Sequence, residues 1–213
     1  MQLNTGQWVV IIIAGILIFG YILGYYYNRQ RAEAIYSWLK KGLSTLGTVT
    51  LGEKLPGMST GGRLEVNQPA APFKRVEAVY LLAPRENVLF WVFHLLQGRG
   101  DELIVWVSYA SRPEQSVEVA RKGDRQFAKR LEATDKPKLT PLESRGKLQL
   151  AAEDVHGARQ AGKVVEFVEQ YKASLVRLAI RPEKPHLFLR FNLRSMAHEN
   201  AEELFGDLKE LVS

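Results

Sequence analysis

Arg121, Lys122, Arg125, Lys129 and Arg130 are the residues of this sequence whose type and spacing best suit chemistry, and that chemistry is anion binding. Between residues 121 and 147 there are nine Lys or Arg against four Asp or Glu, a local excess of five positive charges in a chain whose formal net charge is +6. Arg125 and Lys129 stand four apart and so share one face of a helix. Such a patch holds phosphate through charge-assisted bonds that weaken with salt, which makes RNA or anionic lipid the expected partner. An ordinary solvated helix face is the alternative. No residues with the spacing of an enzyme site occur. His94, His156, His186 and His198 have no second His or Cys at metal-ligand spacing, and the chain has no cysteine at all. His94 sits in an apolar stretch and reads as a core or interfacial residue. The glycines of 52–62 lack the Gly-Lys-Ser/Thr of a phosphate loop, and there is no Gly-x-Ser-x-Gly elbow. The expectation is no catalytic residue, no metal, no cofactor and no small-molecule substrate.

A second group of residues suits packing in or near lipid. Residues 8–27 form one apolar run, Trp8 to Tyr27, with no Asp, Glu, Lys or Arg before Arg29. About 20 helical residues cross the roughly 30 Å hydrocarbon layer of a bilayer. Trp8 at one end and Tyr25, Tyr26 and Tyr27 at the other suit the two interfaces. A cleaved signal peptide needs positive charge before its apolar core and small residues at its end. Here the charge follows the run and tyrosines fill its end, so an uncleaved anchor is expected. Arg29, Arg31, Lys40 and Lys41 place the C-terminal side in the cytoplasm and the tail of residues 1–7 outside. Gly20 and Gly24 make a small-xxx-small pair for close packing against another membrane helix, although glycine is also simply common in such helices. Phe90, Trp91 and Phe93 lie in Val88 to Leu96, apolar nearly all round and too short to span. A buried core helix is the plain reading; contact with a membrane partner or the bilayer surface is the sharper one.

The elements that must position these residues are predicted from periodicity and turn signals. Residues 28–46 continue the anchor as a juxtamembrane helix, and 47–72 hold two short strands, a Gly-rich turn at 57–62 and a linker. Residues 73–133 read as strand, helix, strand, strand, helix. A polar linker follows at 134–146, and the same order recurs over 147–213, closed by a helix capped at Ser195. Each half places Arg-Pro-Glu at its hairpin turn, at 112–114 and 181–183. The expected fold class is therefore α+β: a single N-terminal transmembrane helix followed by a cytoplasmic domain of two ferredoxin-like βαββα repeats.

Three stretches in this order resemble the calumin family, endoplasmic-reticulum coiled-coil-domain proteins of the PAT complex, which assists insertion of multipass membrane proteins. They are Tyr25-Tyr26-Tyr27-Asn28-Arg29 through Ala34-Ile35-Tyr36-Ser37-Trp38-Leu39, then Val76 to Val107, and then Phe167-Val168-Glu169-Gln170-Tyr171-Lys172 with Leu187 to Leu193 and the closing helix. The resemblance implies one membrane helix with a cytosolic α+β domain that binds a translocon or shields polar membrane helices. The family's acidic luminal segment and its C-terminal coiled coil have no counterpart in these residues. A shortened relative is expected, and neither a calcium role nor ribosome contact through that coil is carried over from the family. The function expected is a non-enzymatic accessory factor or chaperone for membrane-protein insertion, with translocon or client helices as partners and ribosomal RNA or anionic lipid as a further contact. The alternative is a membrane-tethered scaffold or regulator that binds a soluble protein or anionic lipid.

Overall fold

Helix α1, Thr5–Leu43, runs unbroken for 39 residues. It starts one turn earlier than expected, because Asn4 and Gln7 form a capping box in which each side chain accepts from the other's backbone N–H at 2.9 Å. The computed structural model describes residues 4–52, 60–114, 116–132, 139–145, 147–153, 158–196 and 199–211. Of the turn expected at 57–62, residues 57–59 lie outside them, and Gly61 and Gly62 belong to a strand. Among the described residues, α1 is the one helix long and apolar enough to cross a membrane. Its most apolar 18-residue window is 6% buried, unlike the core helix of a soluble protein. Its last turns change character: Ile35, Leu39 and Leu43 are buried in the main core.

That core lies under one face of a nine-stranded sheet. The strands are β1 (Thr48–Leu51), β2 (Gly61–Asn67), β3 (Phe73–Leu81), β4 (Glu102–Tyr109), β5 (Val117–Arg121), β6 (Thr140–Arg145), β7 (Leu148–Ala152), β8 (Leu175–Ile180) and β9 (Leu187–Asn192). Strict alternation in β4 turns Leu103, Val105, Val107 and Tyr109 to this face, and Leu187, Leu189 and Phe191 of β9 join them. Helix α4 (Ala158–Tyr171) adds Val164, Phe167, Val168 and Tyr171; α5 (Ala201–Glu210) adds Leu204, Phe205 and Leu208. Gly42 lets α1 and α5 close up, since a β-carbon there would stand 2.6 Å from the Phe205 ring and 2.7 Å from Ala201. Trp38 Nε1 donates to the Glu199 carbonyl at 2.9 Å across the same contact. The opposite sheet face is covered near β5 and β7 by α3 (Arg125–Glu132), whose Phe127 packs on Ala120, Ala151 and Leu139. Helix α1 is thus welded to the domain by its C-terminal third.

The strand order is β1-β2-β3-β4-β9-β8-β5-β7-β6, antiparallel throughout. This differs from two separate ferredoxin-like units. The hairpin β8–β9, from the second half, inserts between β4 and β5 of the first, so each half satisfies the hydrogen-bonding edge the other would leave open. The linker expected at 134–146 also contains structure: β6 pairs with β7 as the far edge strand. Pro141, which has no N–H to donate, is at home there. The closing helix is capped by Asn200, whose side chain accepts from the Glu202 N–H at 3.0 Å, and not by Ser195.

One buried histidine gives the domain a pH dependence. His186 Nδ1 accepts from the Tyr109 N–H at 3.0 Å, so the neutral ring is the one that fits. Burial, then the charges of Lys184 and Arg112, lower its pKa from the ordinary value near 6.5. The unfolded chain therefore binds this proton more readily than the folded one. Stability is full above pH ~6.5 and declines as pH falls from there through the lowered folded value. His186→Asn, which keeps an acceptor, should flatten that part of the stability–pH curve; an unchanged slope in urea unfolding would refute the assignment.

Candidate functional site

Residues 82–101 connect β3 to β4, which are direct antiparallel neighbours. Such strands need a turn of only two residues, so pairing does not account for the excess chain. Within it lies α2, Val88–Leu96, capped by the Asn87 side chain, which accepts from the Phe90 N–H at 3.1 Å. The plain expectation of a buried core helix is wrong: no residue of α2 is buried, and Leu89 and Leu96 are 71% and 82% exposed. The reason is topological. Helix α2 bridges adjacent strands, so it projects past their ends and does not cross a sheet face.

What α2 does touch is the apolar length of α1. A β-carbon on Gly20 would overlap Cγ2 of Val88. One turn on, a β-carbon on Gly24 would overlap the Arg85 carbonyl oxygen and stand 2.6 Å from the Glu86 nitrogen. The small-residue pair is thus occupied by α2 and the residues just before it in this same chain; packing against another membrane helix was one of the two readings of that pair. Gly15, on the same helix, would meet nothing within 4 Å.

A polar latch fixes the root of α2. Asn28, 5% exposed, sits one turn beyond Gly24 and donates from Nδ2 to the Ala83 carbonyl at 3.0 Å and to Glu86 at 2.7 Å. Its Oδ1 accepts from Arg85 Nη1 at 2.9 Å. The same guanidinium forks onto Asp101 at 2.9 and 3.0 Å and lies over the Tyr27 ring at 4.8 Å. Asp101 also accepts from the Ala83 N–H at 2.9 Å and has Arg31 Nε 3.6 Å away. Sequence reasoning missed this group. Its one signal was an asparagine among Tyr25-Tyr26-Tyr27-Asn28-Arg29, where a buried amide must find partners.

Between α1 and α2 a cleft of about 960 Å³ remains open. Its lining changes along α1. Ile16, Gly20 and Leu23 face Trp91 and Leu95 at one end; Gln30 and Arg31, with Arg85, Arg99, Asp101 and Arg194, lie toward the other. Of the three aromatic residues singled out in α2, Trp91 therefore lines the cleft. Phe90 and Phe93, 6.4 Å apart between ring centres, face outward and are more than half exposed.

The basic cluster is smaller in space than in sequence. Arg130 turns inward, with Nε 3.6 Å from the fully buried Glu118 carboxylate, which Arg177 and Arg181 also reach at 3.0 and 2.7 Å. Arg121 donates to the carbonyls of Leu175 and Ala173. Lys122, Arg125 and Lys129 are exposed and have no ion pair among the described residues. Among those residues no group of three His, Cys, Asp or Glu could hold a metal.

No protein-family model matches this chain, and no curated protein matches it.

Proposed function

We propose that the chain is a single-pass membrane protein, spanning at about residues 8–27 with its α+β domain in the cytoplasm, and that it acts without catalysis as an accessory factor for membrane-protein insertion. The observation that carries this is α2: nine residues, all but His94 apolar and none buried, held against the apolar length of α1 by two glycines and a polar latch. In water such a patch is an aggregation liability, whereas in lipid it is at home. A removable leader fits poorly, because α1 runs unbroken from the apolar stretch into the domain core and cleavage would strip α2 of its seat. Arg29, Arg31, Lys40 and Lys41 beyond the stretch favour a cytoplasmic domain. Lipid gives no hydrophobic drive for helices to associate, so packing surfaces decide partners. The outward pair Phe90 and Phe93 offers one to a translocon subunit or a client helix. That assignment also draws on the calumin resemblance.

A photocrosslinker placed at Phe93 of the full chain in native membranes should yield adducts with multipass membrane proteins. Adducts with lipid alone would remove the insertion role and leave the anchor. A membrane-tethered scaffold is the second reading, favoured by the three exposed cations Lys122, Arg125 and Lys129.

A further inference from the structure

We propose that the cleft between α1 and α2 binds one anionic phospholipid, with an acyl chain along its apolar end and the headgroup phosphate between Arg99 and Arg194. The inference rests on the membrane placement above and adds a ligand to it.

The cleft is amphipathic in the sense a phospholipid is. Ile16 and Arg31 are fifteen positions apart on one helix, so the lining passes from aliphatic to cationic over about 22 Å. The change falls beside Tyr26 and Tyr27, the ring types that favour the level where hydrocarbon gives way to headgroups. A soluble anion would have no use for the apolar half, and a neutral lipid none for the cationic half.

Charge decides the headgroup. Four guanidinium groups line the cleft against one carboxylate, Asp101, leaving an excess of three positive charges. Asp101 is already committed to Arg85 and Arg31. Arg99 and Arg194 are exposed and have no ion pair among the described residues. They come from unconnected parts of the chain, one from the loop after α2 and the other from just past β9, yet both line the same cleft. Planar guanidinium forks match phosphate oxygens, and basic pockets beside membrane helices are suited to anionic headgroups. Lys122, Arg125 and Lys129 are cationic too, but none of them lines this cleft.

The test uses the full chain in mild detergent, offered equal amounts of phosphatidylglycerol and phosphatidylcholine and read by native mass spectrometry. One phosphatidylglycerol per chain should be retained about tenfold over phosphatidylcholine. The double variant Arg99→Gln/Arg194→Gln should bring the ratio near one, while Lys122→Gln/Arg125→Gln/Lys129→Gln keeps it. Equal retention of the two lipids overturns the proposal, as does an unchanged ratio in the double variant or loss of the preference in the triple variant. Displacement by inorganic phosphate at millimolar concentration would show a free-anion site and also overturn it. Carbonate extraction of the same chain separates this from the membrane reading. Release from vesicles defeats both; retention without lipid preference defeats only the lipid site.

Discussion

Asp101→Ala should lower the thermal midpoint of the full chain by about 6–12 °C, the largest stability effect expected of any single charged residue in the latch. The substitution takes from Arg85 and Arg31 the carboxylate they share, and strips the Ala83 N–H of its acceptor. Removing one partner of a buried ion pair costs about 3–5 kcal/mol. Asp101 is 4% exposed, but its arginines are 19% and 27% exposed, so water relieves part of the loss and the lower value, about 3 kcal/mol, applies. For a domain of this size each kcal/mol moves the midpoint by about 2–4 °C. Asp101→Asn keeps an acceptor and should cost roughly half. Its neighbour provides the control. Glu102 pairs with Arg190 at 2.5 and 3.0 Å, but the carboxylate itself is 22% exposed where that of Asp101 is 4%, and Glu102→Ala should cost only about 1 kcal/mol. Equal shifts for Glu102→Ala and Asp101→Ala would mean the latch contributes no more than an ordinary surface pair.

What could be read from the sequence, and what could not, divides along the range of the interactions. The elements themselves are local. Alternation in 103–109 and the 3.6-residue pattern of Ile35, Leu39 and Leu43 mark a strand and a helix face without reference to anything distant. Strand order is not local. That β4 pairs with β9 depends on Val105 meeting Leu189 across more than eighty residues, and no short-range pattern encodes it. The strand β6 was hidden because its Thr-Pro-Leu-Glu-Ser-Arg reads as a polar loop, and only edge position makes its proline tolerable. Helix α2 was misjudged for a different reason. A helix that is apolar nearly all round is equally suited to a protein core and to lipid, so composition cannot choose between them. The glycine spacing allowed close packing at Gly20 and Gly24 but could not separate a partner from the ordinary composition of such helices. Charge counting likewise could not show Arg130 turned toward Glu118 while Lys129, one residue earlier, faces solvent.

The docking of α2 can be isolated by a pair of identical substitutions on one helix. Gly15→Leu and Gly24→Leu both replace the poorest non-proline helix former with one of the best, so α1 itself gains about 0.8 kcal/mol in either case. At residue 15 the new side chain meets open space. At residue 24 it meets the Arg85 carbonyl and the Glu86 nitrogen, which are backbone and cannot rotate away. The root of α2 must move, and Asn28, one turn along, loses Arg85 with it. Overpacking of this kind costs about 1–3 kcal/mol, a shift of roughly 5–150-fold in the docked population. Because the chain has no cysteine, Trp91→Cys gives a single reporter inside the cleft. Its reaction with a water-soluble maleimide should rise by at least about fivefold with Gly24→Leu and stay at the parent rate with Gly15→Leu. Parallel behaviour of the two variants would mean that the glycines merely reflect the composition of membrane helices. The wedge, and the lipid site built on it, would then have no seat.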